Sequence, residues 1–172
     1  MRATTYLTVA VLWIGLIHHA QAQTDYRIWC LYMHRFSQHV KWTDQEELKE
    51  IVIGVYGISP LIPALEDYFK MKGTSRLTYK IKRISSADQA VGCQILFVTK
   101  EHLGDFASLE TLLRKEKTLL MSEIPGLAKK GACINFLQNS ESELKVEINK
   151  KCIEMHGLKI SEQALSYGVE VN

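Results

Sequence analysis

GACINFLQNSESELKVEIN, residues 131–149, is the stretch whose reading decides the fold. Ile134 and Phe136 alternate with Asn135 and Leu137, and Leu144, Val146 and Ile148 alternate with Lys145, Glu147 and Asn149. Period two is the signature of a strand, so the stretch reads as a β-hairpin reversed by the polar run QNSES. If Phe136 faces Val146, then Ile134 faces Ile148. On the opposite face Cys133, Asn135, Glu147 and Asn149 then gather at cross-strand spacing. Such a group is either a ligand or partner contact, or a hydrogen-bond cluster in which Asn149 caps the helix that follows.

Upstream of the hairpin the pattern alternates between strand and helix. Ile51 to Tyr56 and Cys93 to Thr99 are nearly continuous apolar runs, as in strands covered on both faces. Leu77, Tyr79 and Ile81 alternate with Thr78, Lys80 and Lys82, which suggests a strand with one exposed face near an edge. Another strand is expected from Thr118 to Ser122. Trp29, Tyr32, Phe36 and Val40 recur at helical spacing and predict a helix from Tyr26 to Trp42. Ser59 and Pro60 open a second helix to about Met71. Leu103, Phe106, Leu109 and Leu113 form a third stripe, with Glu110 placed to pair with Arg114. After Asn149 come a short helix, a loop at Gly157, and a last helix capped by Ser161 that stops near Gly168. Strands separated by helices imply βαβ units. The expected fold is therefore a three-layer α/β domain with a mixed, mainly parallel sheet, helices on both faces and a C-terminal β-hairpin.

The first 22 residues carry a basic start at Arg2, the apolar run TYLTVAVLWIGLI and the small-x-small triplet Ala20-Gln21-Ala22, the pattern of a secretory signal peptide. The run falls short of the roughly 20 residues that a spanning helix needs. Cleavage after Ala22 leaves residues 23–172, about 150 residues and enough for one self-sufficient core, not inserted in the membrane. The 21 basic and 19 acidic residues are mixed along the chain, so nothing recruits nucleic acid by charge. Cys30, Cys93, Cys133 and Cys152 would all reach an oxidising compartment, where three pairings are open and buried free thiols are the alternative.

Catalytic chemistry finds little support. No Ser/His/Asp, Cys/His or paired-carboxylate set has the context of an active site, and no catalytic residue, cofactor or metal is expected. His34 and His39 are five residues apart and do not share a helix face. Cys30 and His34 do share one, as half-buried neighbours or as a reactive thiol pair. Gly54 and Gly57 sit where an anion could meet a helix N-terminus, but they lack the rest of a dinucleotide or P-loop fingerprint, and a turn explains them.

Taken together, YRIWCLYMHRFSQHVKW, VGCQILFV and GACINF…LKVEIN…HGLKIS resemble the YfiR-like family of periplasmic regulatory proteins over nearly the whole chain after residue 22. The family hallmarks are an aromatic-rich helix end, a CxxLFV-like strand and a GxxINF…FEIN…GLxIS signature. They fall here on Phe36 to Trp42, on Cys93 to Val98, and on Gly131, Ile134, Asn135, Phe136, Glu147, Ile148, Asn149, Gly157 and Ser161. The resemblance implies an exported regulator rather than an enzyme. In the best-understood branch such a protein holds a diguanylate cyclase inactive by binding the periplasmic domain of this inner-membrane signalling protein, which lowers cyclic-di-GMP, and redox state tunes the grip. Family members can pair, so a homodimer is open. Cys93 and Cys133 match positions where that branch carries disulfides, but the expected partner cysteines are missing. Any bridge, using Cys30 or Cys152, would be wired differently. A small-ligand binding module and a thiol redox sensor on the same fold are the alternatives.

Overall fold

The structure is a computed structural model that describes residues 24–42, 48–72, 77–139 and 143–172. The expected signal peptide and the hairpin tip at 140–142 lie outside the described residues. Among the described residues no helix is long and apolar enough to cross a membrane.

The apolar runs build a seven-stranded sheet from β2 (Glu50–Tyr56), β3 (Thr78–Ile84), β4 (Ile95–Val98), β5 (Leu119–Ser122), β6 (Ile134–Gln138), β7 (Leu144–Ile148) and β9 (Val169–Glu170), in the order β3-β2-β4-β5-β6-β7-β9. Every neighbouring pair is parallel except β6 and β7. That hairpin has the register expected from its alternation, with Ile134 opposite Ile148 and Phe136 opposite Val146. β3 is an edge strand, and its Lys80, Lys82 and Arg83 are exposed. Charge on an exposed edge discourages pairing with other chains.

One face of the sheet lies under helix α1 (Tyr26–His39) and helix α2 (Leu61–Lys72). Asp25 caps α1 by accepting from the Arg27 N–H at 3.0 Å, and Trp29, Met33 and Phe36 are buried. The Trp29 ring packs on Phe97 of β4 and Phe136 of β6, with centroids 5.7 and 5.5 Å away. In α2, Phe69 stacks on Tyr79 of β3 at 3.9 Å. The other face carries α3 (Phe106–Leu113), reached through a 3-10 segment, Lys100–Asp105. Arg114 Nε donates to Glu110 Oε1 at 3.0 Å, the pairing expected from their spacing.

Three local expectations are corrected. Helix α1 stops at His39, and β1 (Val40–Trp42) follows it, paired antiparallel with β8 (Leu158–Ile160). Val40 and Trp42 are buried while Lys41 is exposed, a period of two that β-branched Val40 and a distant partner impose on a short stretch. Leu103 leaves the buried stripe and is 51% exposed, because the 3-10 segment breaks phase with α3 at His102. At the C-terminus α4 (Lys150–Met155) is followed by β8 rather than a loop alone, and the last helix, α5 (Glu162–Leu165), is a single turn before β9. A Cβ on Gly168 would lie 2.5 Å from the Val146 carbonyl oxygen, so glycine is what lets the chain press against β7 and pair there.

The end of the hairpin is fixed twice. Asn149 caps α4 by accepting from the Cys152 N–H at 2.8 Å, and its amide donates to the Ala128 carbonyl at 2.6 Å. One turn on, Cys152 is bridged to Cys133, with Cα atoms 5.0 Å apart, while Cys30 and Cys93 are buried free thiols. Asn149→Ala removes the cap and strands a buried carbonyl, and should cost about 2–3 kcal/mol in urea unfolding of the mature chain. Cutting the bridge in Cys133→Ala/Cys152→Ala should cost about 3 kcal/mol on the chain-entropy account, read as a lower urea midpoint than that of the oxidised wild type.

Candidate functional site

The structure brings the expected polar face of the hairpin together and engages it internally. Asn135 is fully buried, and its amide donates to the Ile124 carbonyl at 2.9 Å and to Glu147 Oε2 at 3.4 Å. Glu147 also pairs with Lys145 at 3.1 Å. Asn149 is occupied by its cap and by Ala128, and Cys133 by its bridge. This group locks β6, β7 and α4 to the 3-10 turn Leu127–Lys130.

The remaining signature residues are architectural in the same way. Ile134, Phe136 and Ile148 are fully buried core. Cys152 Sγ lies 3.1 Å from the Gly131 carbonyl oxygen, and Gly157 turns α4 into β8. Ser161 caps α5 and meets His39 Nδ1 at 3.2 Å, while the Tyr167 hydroxyl meets His39 Nε2 at 3.1 Å. This clamp ties the end of α1 to the C-terminal segment. Burial pushes the Cys30 thiol up to about 12 and raises that of Cys93, which leaves both poor nucleophiles. His34 is turned to the Tyr68 hydroxyl at 3.2 Å. Burial, and then the charge of Lys72, lower its pKa. Cys30 and His34 are therefore not a reactive pair. Phe36 of α1 and Trp42 of β1 are buried, so neither presents its ring to a partner.

Two arrangements escaped sequence reasoning. The first lies at the carboxyl ends of the parallel strands, where open α/β sheets hold ligands at the point of strand-order reversal. Here the chain leaves β2 for β3 on one side and returns to β4 on the other. Gly57 turns with φ +105, and a Cβ there would lie 2.4 Å from the His102 ring. That ring stands edge-on to Tyr56 at 5.0 Å and bonds Asp105 at 3.2 Å. The His102 ring thus lies against the Gly57 turn at the strand ends. Beside it, burial raises the pKa of Glu123 although its carboxylate accepts from the Lys100 N–H at 3.1 Å, and Tyr26 is raised by burial and by Glu123.

The second is His156, which ends α4 and is fully buried. Neither ring nitrogen has a hydrogen-bond partner. Burial lowers its pKa, and the Thr118 backbone counters that only in part, without reaching hydrogen-bond geometry. One donor atom from each of Cys133, Cys152 and His156 lies within 4.8 Å of the others. A buried histidine leaves no periodic signal in a sequence, which is why His156 was not legible there, whereas Cys133 and Cys152 stood among the cysteines open to pairing.

The fold has known counterparts. A conserved domain protein from Vibrio cholerae O1 biovar El Tor superposes with a TM-score of 0.62 at 11% identity, covering 87% of this chain and 60% of that one. The ABC domain from Streptococcus pneumonia, solved in complex with L-Trp, gives 0.54 at 14% identity, covering 71% and 55%. The chain thus spans less than two thirds of either structure, and at these identities the likeness concerns the fold alone. No curated protein sequence matches the chain. A family match, however, runs from residue 26 to residue 168 and takes in the helix, the strands and the hairpin signature described above. The chain belongs to the YfiR/HmsC-like family.

Proposed function

We propose that this protein is an exported, periplasmic regulator that binds and inhibits a membrane signalling enzyme, a diguanylate cyclase, and so lowers cyclic-di-GMP. The observation that carries the reading is the family match over residues 26–168. On this reading residues 1–22 are the signal peptide and residues 23–172 act as one domain. The protein works without chemistry of its own, by binding one conformation of the enzyme better than the other. The signature residues fit a scaffold role, since Asn135, Asn149 and Ser161 hold elements together rather than face a substrate.

The alternative favoured by a specific observation is redox tuning of the same grip. The Cys133–Cys152 bridge fastens α4 to the start of β6, so its state would set how firmly the C-terminal third is held. Ligand binding at the strand ends is less favoured, because the His102 ring packs closely on the Gly57 turn there.

Deleting the gene should raise cellular cyclic-di-GMP, and complementation with the wild-type gene should restore it. Unchanged cyclic-di-GMP, with no sensor protein recovered from membranes by the tagged chain, would overturn the reading.

A further inference from the structure

We propose that Cys133 and Cys152, once reduced, form with His156 a zinc site that cannot coexist with their disulfide. The sequence led us to expect no metal, and the inference goes beyond the proposed inhibition of a cyclase and does not rest on it. Two independent observations carry it. Among the described residues this is the one group of three histidine, cysteine or acidic side chains whose donor atoms converge, within 4.8 Å of one another. Separately, the fully buried His156 makes no hydrogen bond of good geometry through either ring nitrogen, and with the Thr118 backbone beside the ring a nitrogen is still left over for a ligand.

The chemistry of the donor set selects the ion. Two thiolates and an imidazole are a zinc set, and the two negative charges cancel those of Zn2+, so the buried site stays neutral. A monovalent soft ion such as Cu+ would leave a net charge in the core. Donor atoms on a tetrahedral zinc stand about 3.5–3.8 Å apart. The imidazole therefore needs to close by about 1 Å, and the two sulfurs, no longer bonded, need to part by rotating about their side-chain bonds. The Thr118 backbone beside the ring is placed to orient it, the role that outer groups take around zinc-bound histidines. The fourth position is left for water.

The exchange balances with a dithiol as reductant. Its thiolate attacks one sulfur of the bridge and its second thiol resolves the mixed disulfide, so the dithiol is oxidised while Cys133 and Cys152 take up two electrons and two protons. Zinc binding then displaces those two protons. Reoxidation requires the metal to leave, which makes the site a reporter of the local thiol balance.

The mature chain, oxidised or reduced with a phosphine under nitrogen, would be mixed with Zn2+ alone, desalted and analysed by native mass spectrometry. The reduced protein should keep about one zinc per chain and the oxidised protein none. Cys30→Ala/Cys93→Ala should behave as wild type, and Cys133→Ser/Cys152→Ser should keep none. His156→Gln should weaken binding about tenfold or more in competition with a chromophoric chelator. Reduced wild type without zinc, or a Cys133→Ser/Cys152→Ser variant that still holds it, would overturn the proposal. If His156→Gln does not fold, Co2+ in the reduced wild type decides. A tetrahedral spectrum with two thiolates supports the site, and its absence or a four-sulfur spectrum refutes it.

Discussion

A parallel sheet exposes no face that water can solvate cheaply, because its crossovers place helices on both sides. This constraint governs the molecule. Strands β2, β4, β5 and β6 are buried almost along their whole length, and their side chains meet α1 and α2 on one face and α3 on the other. The sheet can stop only where a strand tolerates water or where the chain turns back on itself. At one edge β3 does the former with an exposed basic row. At the other end the antiparallel hairpin does the latter, and the short β9 finishes it.

The same constraint explains what could be read from the residues alone. Long apolar runs such as ILFV and the alternating hairpin carry their own periodicity, so the sheet class, the hairpin register and the edge position of β3 were legible. Strands of two or three residues are not, because β1, β8 and β9 owe their conformation to partners far away in sequence. Val40 to Trp42 looks like the end of a helix until Leu158 to Ile160 arrives beside it. The candidate site was legible as a group of residues, and so was its reading as a hydrogen-bond cluster with Asn149 as a helix cap, but the carbonyls that the two amides reach were not. Whether Asn135 and Asn149 face a ligand or a carbonyl depends on the turn at Leu127–Lys130, whose position no local pattern fixes. The three cysteine pairings likewise remained open until α4 was seen to bring Cys152 back over Cys133.

Polar groups in this core are used as fasteners. The Asn149 side chain joins the hairpin, α4 and the preceding turn in a few ångströms, and the His39, Ser161 and Tyr167 cluster does the same between the first helix and the last segment. Each replaces bonds to water by bonds within the protein, so each is nearly neutral when complete and costly when broken. Such contacts specify one arrangement among several of similar hydrophobic burial. The ring nitrogens of His156 depart from this rule, as do Trp42 Nε1 and Asn135 Oδ1, all buried without a hydrogen-bond partner.

The β1–β8 ribbon joins the end of α1 to residues more than a hundred positions later, and this has a consequence for how the molecule is made. A polypeptide emerges from the ribosome N-terminus first, so α1 exists for most of synthesis without the strand and the tyrosine that hold its end. Its Trp29 and Phe36 also await β4 and β6. Long-range closure of this kind is slow to form and leaves apolar surface uncovered meanwhile. The apolar side of α1 thus stays open until residues 158–167 have been made, and the order of synthesis runs against the order in which the contacts of α1 close.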